Sequence, residues 1–463
     1  VLRPGQVLAD KQVKHANMAM TLNHPVHGEI LQAAPPLSFK GVDLAWPTPA
    51  PKRDQHRESV KALISKVRPQ PDFGKLTSID HPLEGIRVLD FASFFATPYG
   101  AKILSDLGAD VIQIEPPHGD QMRPLPNPFE AAQRGKRNLC INLKTEEGRK
   151  IVHELVKSAD VVMHNQRPGK AEKIGIGFDE LSTINPNLVY CYLPGYGSSG
   201  PRSHQKSFAP LQSGFTGLLY EAAGKDRRPV ATVEGNEDYY NGLLGATSAL
   251  IGLERRAATG GEAQYIESPQ LHSSLFVTSH LFLKSSGESL PAMQIDHDQM
   301  GWDPLNRLYE TADDWICLGC VGEGAWERLS SLMGIEADAR EHPESLIATL
   351  SDKLALLTSE QAFTQLRANG IACEIPAKEP MVQTLFFEDW ALEQDLVICH
   401  DDSIHGPIRE IGHYMHFSKT PAAKKGPAPR LGQHTAEILT EMGFSSSEID
   451  SLSANGSIVL DSA

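Results

Sequence analysis

Ile86-Arg-Val-Leu-Asp-Phe91, then Pro98 to Leu107, then Asp110-Val-Ile-Gln-Ile-Glu115 is the stretch that decides the fold. Its first and third segments are short and apolar, which predicts buried strands, and the segment between them reads as a helix with Pro98 in its first turn. Together they make a βαβ unit. The pattern continues outward with a strand over 138–143, a helix capped by Thr145 and running to about Ser158, and a strand over 160–164. A short helix over 178–184 and a strand over 188–193 complete the series. Strands alternating with helices predict a parallel sheet covered on both faces, so the fold class is α/β and Rossmann-like. Further along, residues 239–258 read as a long apolar helix, 290–393 as a smaller unit of short strands and amphipathic helices, and 435–442 as a helix.

A chain of 463 residues, 40% hydrophobic and 22% charged, can bury a sizeable core in two structural domains or one divided one. Its apolar runs, such as 243–253, are broken by Gly and Ser and fall short of the ~20 residues that span a bilayer. No charged and apolar leader precedes a cleavage site, so a cytoplasmic location is expected. A net charge of −15 argues against nucleic acid or an anionic membrane as partner. An anionic ligand then needs local positive charge, which Arg134, Lys136, Arg137, Arg167, Lys170, Lys173 and Lys206 offer; taken singly, each reads more simply as a solvated surface residue. Six Cys are too sparse for a disulfide scaffold, and Cys317 and Cys320 fall in the apolar run Trp315–Val321, which reads as a buried strand.

The two ends of the chain repeat each other in outline. His24-Pro-Val-His-Gly-Glu-Ile up to Phe39, followed by Pro49-Ala-Pro and Gln55-His56, matches Ser403-Ile-His-Gly-Pro-Ile up to Phe417, followed by Pro427-Ala-Pro and Gln433-His434. Residues 1–62 therefore read as the tail of an upstream copy in a tandem protein, and 63–80 as a linker.

Gly195-Tyr-Gly197-Ser-Ser-Gly200 has the spacing of a dinucleotide fingerprint, but Pro201 continues a loop where that fingerprint needs a helix, and it follows the last strand of the series. No G-x-S-x-G elbow and no His-Glu-x-x-His pattern appears, so serine hydrolysis and a catalytic metal are not expected. What remains is Val233-Glu-Gly-Asn-Glu-Asp-Tyr-Tyr-Asn-Gly242, which sets Glu237 and Asp238 in a glycine-flanked turn before the long helix. Local physics reads those carboxylates as helix caps, stabilised by the free amides and the dipole.

The order of motifs resembles a known family. Leu83-Glu-Gly-Ile-Arg-Val-Leu-Asp-Phe91, Thr97-Pro98, Leu104 to Pro116, Gly119-Asp120, Gly135-Lys-Arg-Asn138, Asn142-Leu-Lys144, Arg167-Pro-Gly169, Gly195-Tyr-Gly197 and Pro427 to His434 are similar to family III CoA-transferases over residues 81–460. The resemblance implies coenzyme A as co-substrate, moved from an acyl-CoA donor to a small carboxylic acid. It also implies a large domain built from both chain ends (81–290 and 395–463), a small α+β domain (291–394), and two interlocked units, whether an upstream copy or a homodimer partner. Counting back from Leu253-Glu-Arg-Arg256 puts the family's aspartate nucleophile on Asp238. The same counting puts its CoA contacts near Phe95, Ala96, Ile141, Asn165, Gln166, Lys173 and Lys206. The racemases of the family use a His and an Asp where this chain has Phe208 and Ala209, so two-base proton exchange is not expected. The glycine-rich loop that closes over the intermediate in the formyl-CoA transferases of the family is absent, and Gly322-Glu323-Gly-Ala-Trp326 occupies the comparable stretch. Backbone amides near Gly235 and Asn236 are expected to stabilise oxyanions.

For the acceptor acid, Tyr239, Tyr240 and Trp302 suggest aromatic faces for an onium group, with Glu323 nearby in the small domain. The tandem arrangement resembles dimethylsulfoniopropionate CoA-transferase/lyase, which adds release of dimethyl sulfide. The alternatives are transfer to carnitine-like or other small acids, and a non-catalytic acyl-CoA-binding unit whose companion copy does the chemistry.

Overall fold

The computed structural model describes residues 2–42, 48–64, 79–231, 236–290, 293–402 and 405–461. Its centre is an eight-stranded sheet made of β1 (Ser38–Phe39), β2 (Arg87–Asp90), β3 (Asp110–Glu115), β4 (Arg137–Ile141), β5 (Val161–His164), β6 (Val189–Tyr192), β7 (Gln264–Glu267) and β8 (Ile458–Val459). The strand order is β8-β4-β3-β2-β5-β6-β7-β1. The six inner strands run parallel, while β1 and β8, from opposite ends of the chain, close the edges antiparallel. The inner order is that of a dinucleotide-type doubly wound sheet, in which the chain reverses its direction of growth between β2 and β5. A crevice opens there at the strands' carboxyl ends. Most strand residues are buried, as a sheet covered on both faces requires.

Three helices meet the start of the long apolar segment. Helix α1 (Ala96–Asp106) follows β2, starting earlier than Pro98 suggests. Helix α2 (Ala209–Thr216) has no clear apolar period and is not expected from the sequence, whereas α3 (Asn236–Thr259) is the predicted long helix, and α4 (Gln270–Val277) follows β7. Helix α3 carries Gly242, Gly245 and Gly252 along one face. A Cβ on Gly100 of α1 would lie 2.4 Å from the Gly242 carbonyl oxygen, and one on Gly242 would lie 2.7 Å from the Ala96 carbonyl oxygen. Backbone therefore meets backbone, which brings the first turn of α3 against the start of α1.

The smaller unit has a four-stranded antiparallel sheet from 301–374 packed on helices Ala325–Met333, Pro343–Leu354 and Ser359–Ala368. Its strand Trp315–Gly319 alternates, with Ile316 and Leu318 buried and Cys317 exposed, so it is covered on one face and not buried throughout as the sequence suggests.

The repeat has a counterpart in the fold. Ala19–His24 pairs with Gly28–Ala33, and Val397–Asp402 pairs with Gly406–Ile411, each as two antiparallel six-residue strands of which the second opens on a glycine at positive φ. The first hairpin gains a third strand, Leu283–Lys284. The second is two-stranded among the described residues.

The basic cluster at 134–137 is corrected by the structure. Arg134 is buried against Asp106 (3.0 Å) and Glu410 (2.9 Å), and Lys136 is fully buried against Asp90 (2.8 Å). Arg137 pairs with Asp110, Glu437 and Glu441. None of the three is a solvated cation or a free anion site. Lys136 also donates to the Pro98 carbonyl (2.8 Å) and Gln133 Oε1 (2.7 Å), tying the end of β2 to α1.

Gly242→Ala should lose about 1–3 kcal/mol of stability by overpacking. A lower midpoint in denaturant-induced unfolding is the expected result, because the new methyl meets main chain, which cannot turn aside.

Candidate functional site

The crevice at the switch point is a cleft of about 550 Å³. One wall is the loop after β2. There Phe94 adopts φ 65°, in the left-handed region that a bulky residue seldom occupies, and its amide donates to the Asp120 carboxylate (3.2 Å). Burial raises the Asp120 carboxyl to about 6, the largest effect, against the hydrogen bond from Met122. The loop after β5 braces this wall. Asn165 Nδ2 donates to the Ser93 carbonyl (2.7 Å), its Oδ1 accepts from the Ser93 amide (3.1 Å), and Gln166 Nε2 donates to the Phe91 carbonyl (3.1 Å).

Asp238 enters from the opposite side, on the first turn of α3. It lines the cleft with Phe95, Ala96, Asn165, Gln166 and Lys206, five of the residues expected to contact CoA. Ile141 lines an adjoining cavity of about 520 Å³, which shares Ser93, Gln121, Gln166 and Lys170 with the first. Lys173 is exposed and lines neither, whereas Lys170, one helical turn earlier, lines both. Arg167 and Lys206 join Lys170 around the cleft, and Lys144 joins it in the second cavity. Burial, then the neighbouring charges of Arg167 and Lys144, hold the Lys170 ammonium below its ordinary pKa. Like charges gathered in this way favour an anionic ligand.

The two adjacent carboxylates part company. Glu237 is 2% exposed and accepts from the Ser213 hydroxyl of α2, and it is absent from the cleft lining. Asp238 faces the cleft. Its Oδ1 accepts from Nε2 of Gln270 on α4. Burial raises the Asp238 carboxyl to about 6, the Gln270 hydrogen bond pulls it down, and Glu237 pushes it up. As the third residue of α3, Asp238 bonds across to a neighbouring helix, which is not how a cap is used.

Behind Gln270 lies a chain of polar side chains. Ser207 Oγ donates to Gln270 Oε1 (2.5 Å), and Gln212 Nε2 donates to Ser207 Oγ (2.6 Å). The Gly195-Tyr-Gly197-Ser-Ser-Gly200 loop makes room for it, since a Cβ on Gly195 would lie 2.2 Å from the Ser207 Cβ. Buried Gln12 clamps the same loop by donating to the Tyr196 and Ser199 carbonyls (2.8 Å each) and accepting from the Arg202 amide. Sequence reasoning passed over Gln270, Ser207 and Gln212 because isolated amides and hydroxyls carry no period and no charge.

Tyr239 packs edge-on against Phe95 (4.9 Å) and Tyr99 (5.0 Å) and is 41% exposed. Tyr240 is likewise partly exposed. Neither is a cleft-lining residue, nor are Trp302 and Glu323 of the small unit. Trp326 is buried and donates to the Ala337 carbonyl (3.1 Å). Phe208 and Ala209 do line the cleft, Phe208 edge-on to Phe94 (5.3 Å). Gly235 lies outside the described residues. Among those described, no helix is long and apolar enough to cross a membrane. Glu130, Asp402 and His405 bring three potential metal ligands together, but none of them lines the cleft.

The family description "CoA-transferase family III" matches residues 83–435. An acyl-CoA transferase of Fusarium pseudograminearum is 29% identical, over 81% of this chain and 88% of its own length. A succinate–glutarate CoA-transferase of Agrobacterium fabrum is 27% identical, over 78% and 96%. The solved structure of a CaiB/BaiF family protein from Brucella suis superposes with a TM-score of 0.66 at 26% identity, covering 79% of this chain and all of that one.

A raised carboxyl pKa costs the fold stability once the group ionises. The contribution of neutral Asp238 is fully present below about pH 4 and is lost as pH rises to about 6. Asp238→Asn should therefore stabilise the protein above pH 6 by about 1–3 kcal/mol and leave it unchanged below pH 4. Thermal unfolding at pH 7.5 and pH 4 measures the difference.

Proposed function

This chain belongs to CoA-transferase family III, and from that premise we propose that Asp238 is the nucleophile through which it moves CoA between acids. The enzyme is a CoA-transferase with acyl-CoA as co-substrate. The observation that carries the nucleophile is the separation of the two carboxylates: Asp238 faces the cleft, half-desolvated and held on one oxygen by Gln270, while Glu237 is buried against Ser213.

The free oxygen of Asp238 attacks the thioester carbon of the donor, the C–S bond breaks, and CoA leaves as thiolate. The thiolate attacks the aspartyl carbonyl of the resulting anhydride, which expels the donor acid and forms an aspartyl-CoA thioester. The acceptor carboxylate then displaces the thiolate to give a second anhydride. Finally the thiolate takes the acceptor acyl group and frees Asp238. Each intermediate hydrolyses if water enters, so orientation and exclusion of water carry the catalysis. Arg167, Lys170, Lys206 and Lys144 support placing the CoA phosphates along the two adjoining cavities.

For the acceptor, the named substrates of the Agrobacterium relative support a small aliphatic acid such as a dicarboxylate. Dimethylsulfoniopropionate has less support, since Tyr239, Tyr240 and Trp302 all lie outside the cleft lining. Release of dimethyl sulfide in the presence of acetyl-CoA decides between them. A second copy of the fold, tandem or separate, is proposed to add its own strand to Gly406–Ile411, as Leu283–Lys284 adds to the first hairpin.

Asp238→Ala should lower turnover about a thousandfold or more while CoA still binds. A protein that binds CoA and shows no turnover before substitution would instead be a binding unit. In the active enzyme kcat/KM should fall tenfold per pH unit below about 6, where Asp238 takes up a proton.

A further inference from the structure

Gln270 bonds to the oxygen of Asp238 that does not attack the donor. Resting on Asp238 as nucleophile, we infer that Gln270 is a catalytic residue, the oxyanion donor for the aspartyl carbonyl, and that Ser207 and Gln212 are positioning residues that fix which end of its amide faces Asp238.

The direction of the hydrogen bonds follows from charge. An ionised Asp238 only accepts, so Gln270 must present Nε2 to it and turn Oε1 away. That oxygen needs a donor, and the Ser207 hydroxyl supplies its one proton at 2.5 Å. Ser207 Oγ, having donated, accepts from Gln212 Nε2 at 2.6 Å. The file of donors therefore points one way, from the buried Gln212 to the nucleophile. An unsupported amide turns over easily, and its oxygen would then repel the carboxylate.

The bond also selects the step. With Oδ1 held by Gln270, the other oxygen of Asp238 attacks the donor and becomes the bridging atom of the anhydride, so Oδ1 remains as the aspartyl carbonyl. When the CoA thiolate adds to that carbon, the C=O pair moves onto the oxygen beside Gln270. It returns as the donor carboxylate leaves. When the acceptor carboxylate adds to the aspartyl-CoA thioester, charge gathers on the same oxygen and the thiolate leaves. Gln270 thus serves the two steps at the aspartyl carbon and neither of the two at a substrate carbon. Because it touches Asp238 and sits in a helix that follows β7, it is held by rigid structure on both sides: its backbone N–H donates to the Pro194 carbonyl (2.8 Å).

The test mixes the protein with succinyl-CoA, without acceptor, and follows the CoA adduct on Asp238 by rapid quench, intact mass and peptide mapping. Wild-type protein should charge. Gln270→Ala should charge about 10²–10³-fold more slowly, and Ser207→Ala about tenfold more slowly, both with an unchanged dissociation constant for CoA. A merely structural role would weaken CoA binding together with charging. Wild-type charging by either variant overturns the inference and leaves the nucleophile standing, whereas no adduct on Asp238 in the wild type overturns both. If Gln270→Ala fails to bind CoA, Ser207→Ala decides alone.

Discussion

The contact between Gly100 and Gly242 is the constraint on which the site depends. Two helices approach until a carbonyl oxygen of one stands where a Cβ of the other would be, 2.4 Å away. That approach sets the first turn of α3 beside the loop after β2, and hence Asp238 at the sheet's switch point. Glycine weakens a helix by roughly 0.5–1 kcal/mol relative to alanine, and α3 carries three on one face. The cost is offset because Gly245 and Gly252 let the helix settle against Leu193 and Val189 of the sheet. Helix position, not loop flexibility, presents the carboxylate.

The charges divide into two sets with different duties. Lys136, Arg134, Lys102 and their carboxylate partners are buried and already paired, so they join β2, α1 and the hairpin at 397–411 into one body. Removing one member would strand the other in a medium that solvates it poorly. Arg167, Lys170, Lys206 and Lys144 stand around open cavities instead. A chain with a net charge of −15 thus keeps a local positive surface for an anion. The amides of Asn165 and Gln166 are spent on bracing the loop that carries Phe94, so their place in the site is to hold its shape.

The parallel sheet was legible because burial on both faces forces continuous apolar runs, and β3, β5 and β6 fall within a residue or two of where those runs lie. Thr145 was legible as a cap because its side chain does accept from the Gly148 amide. The place of Asp238, the proposed nucleophile, on the cleft was not legible from local physics, since a carboxylate at a helix start reads as a cap until its partner across the gap is known. Lys170 and Lys173 were both legible as positive charge, but residue counting put the expected CoA contact on Lys173, and only the fold shows that Lys170, one helical turn earlier, lines both cavities. The burial of Arg134 and Lys136 was missed because their partners Asp90, Asp106 and Glu410 lie far away in the sequence. Ser207 and Gln270 are 63 residues apart, and only the fold joins them.

Oxygen exchange tests the central claim most directly. In a single turnover with an acceptor acid labelled with oxygen-18 in its carboxylate, the acceptor's bridging oxygen stays behind when the thiolate takes its acyl group. The account predicts one oxygen-18 atom in the peptide that contains Asp238, found by mass spectrometry after digestion. Formation of the acceptor's CoA thioester with no label on Asp238 would contradict it.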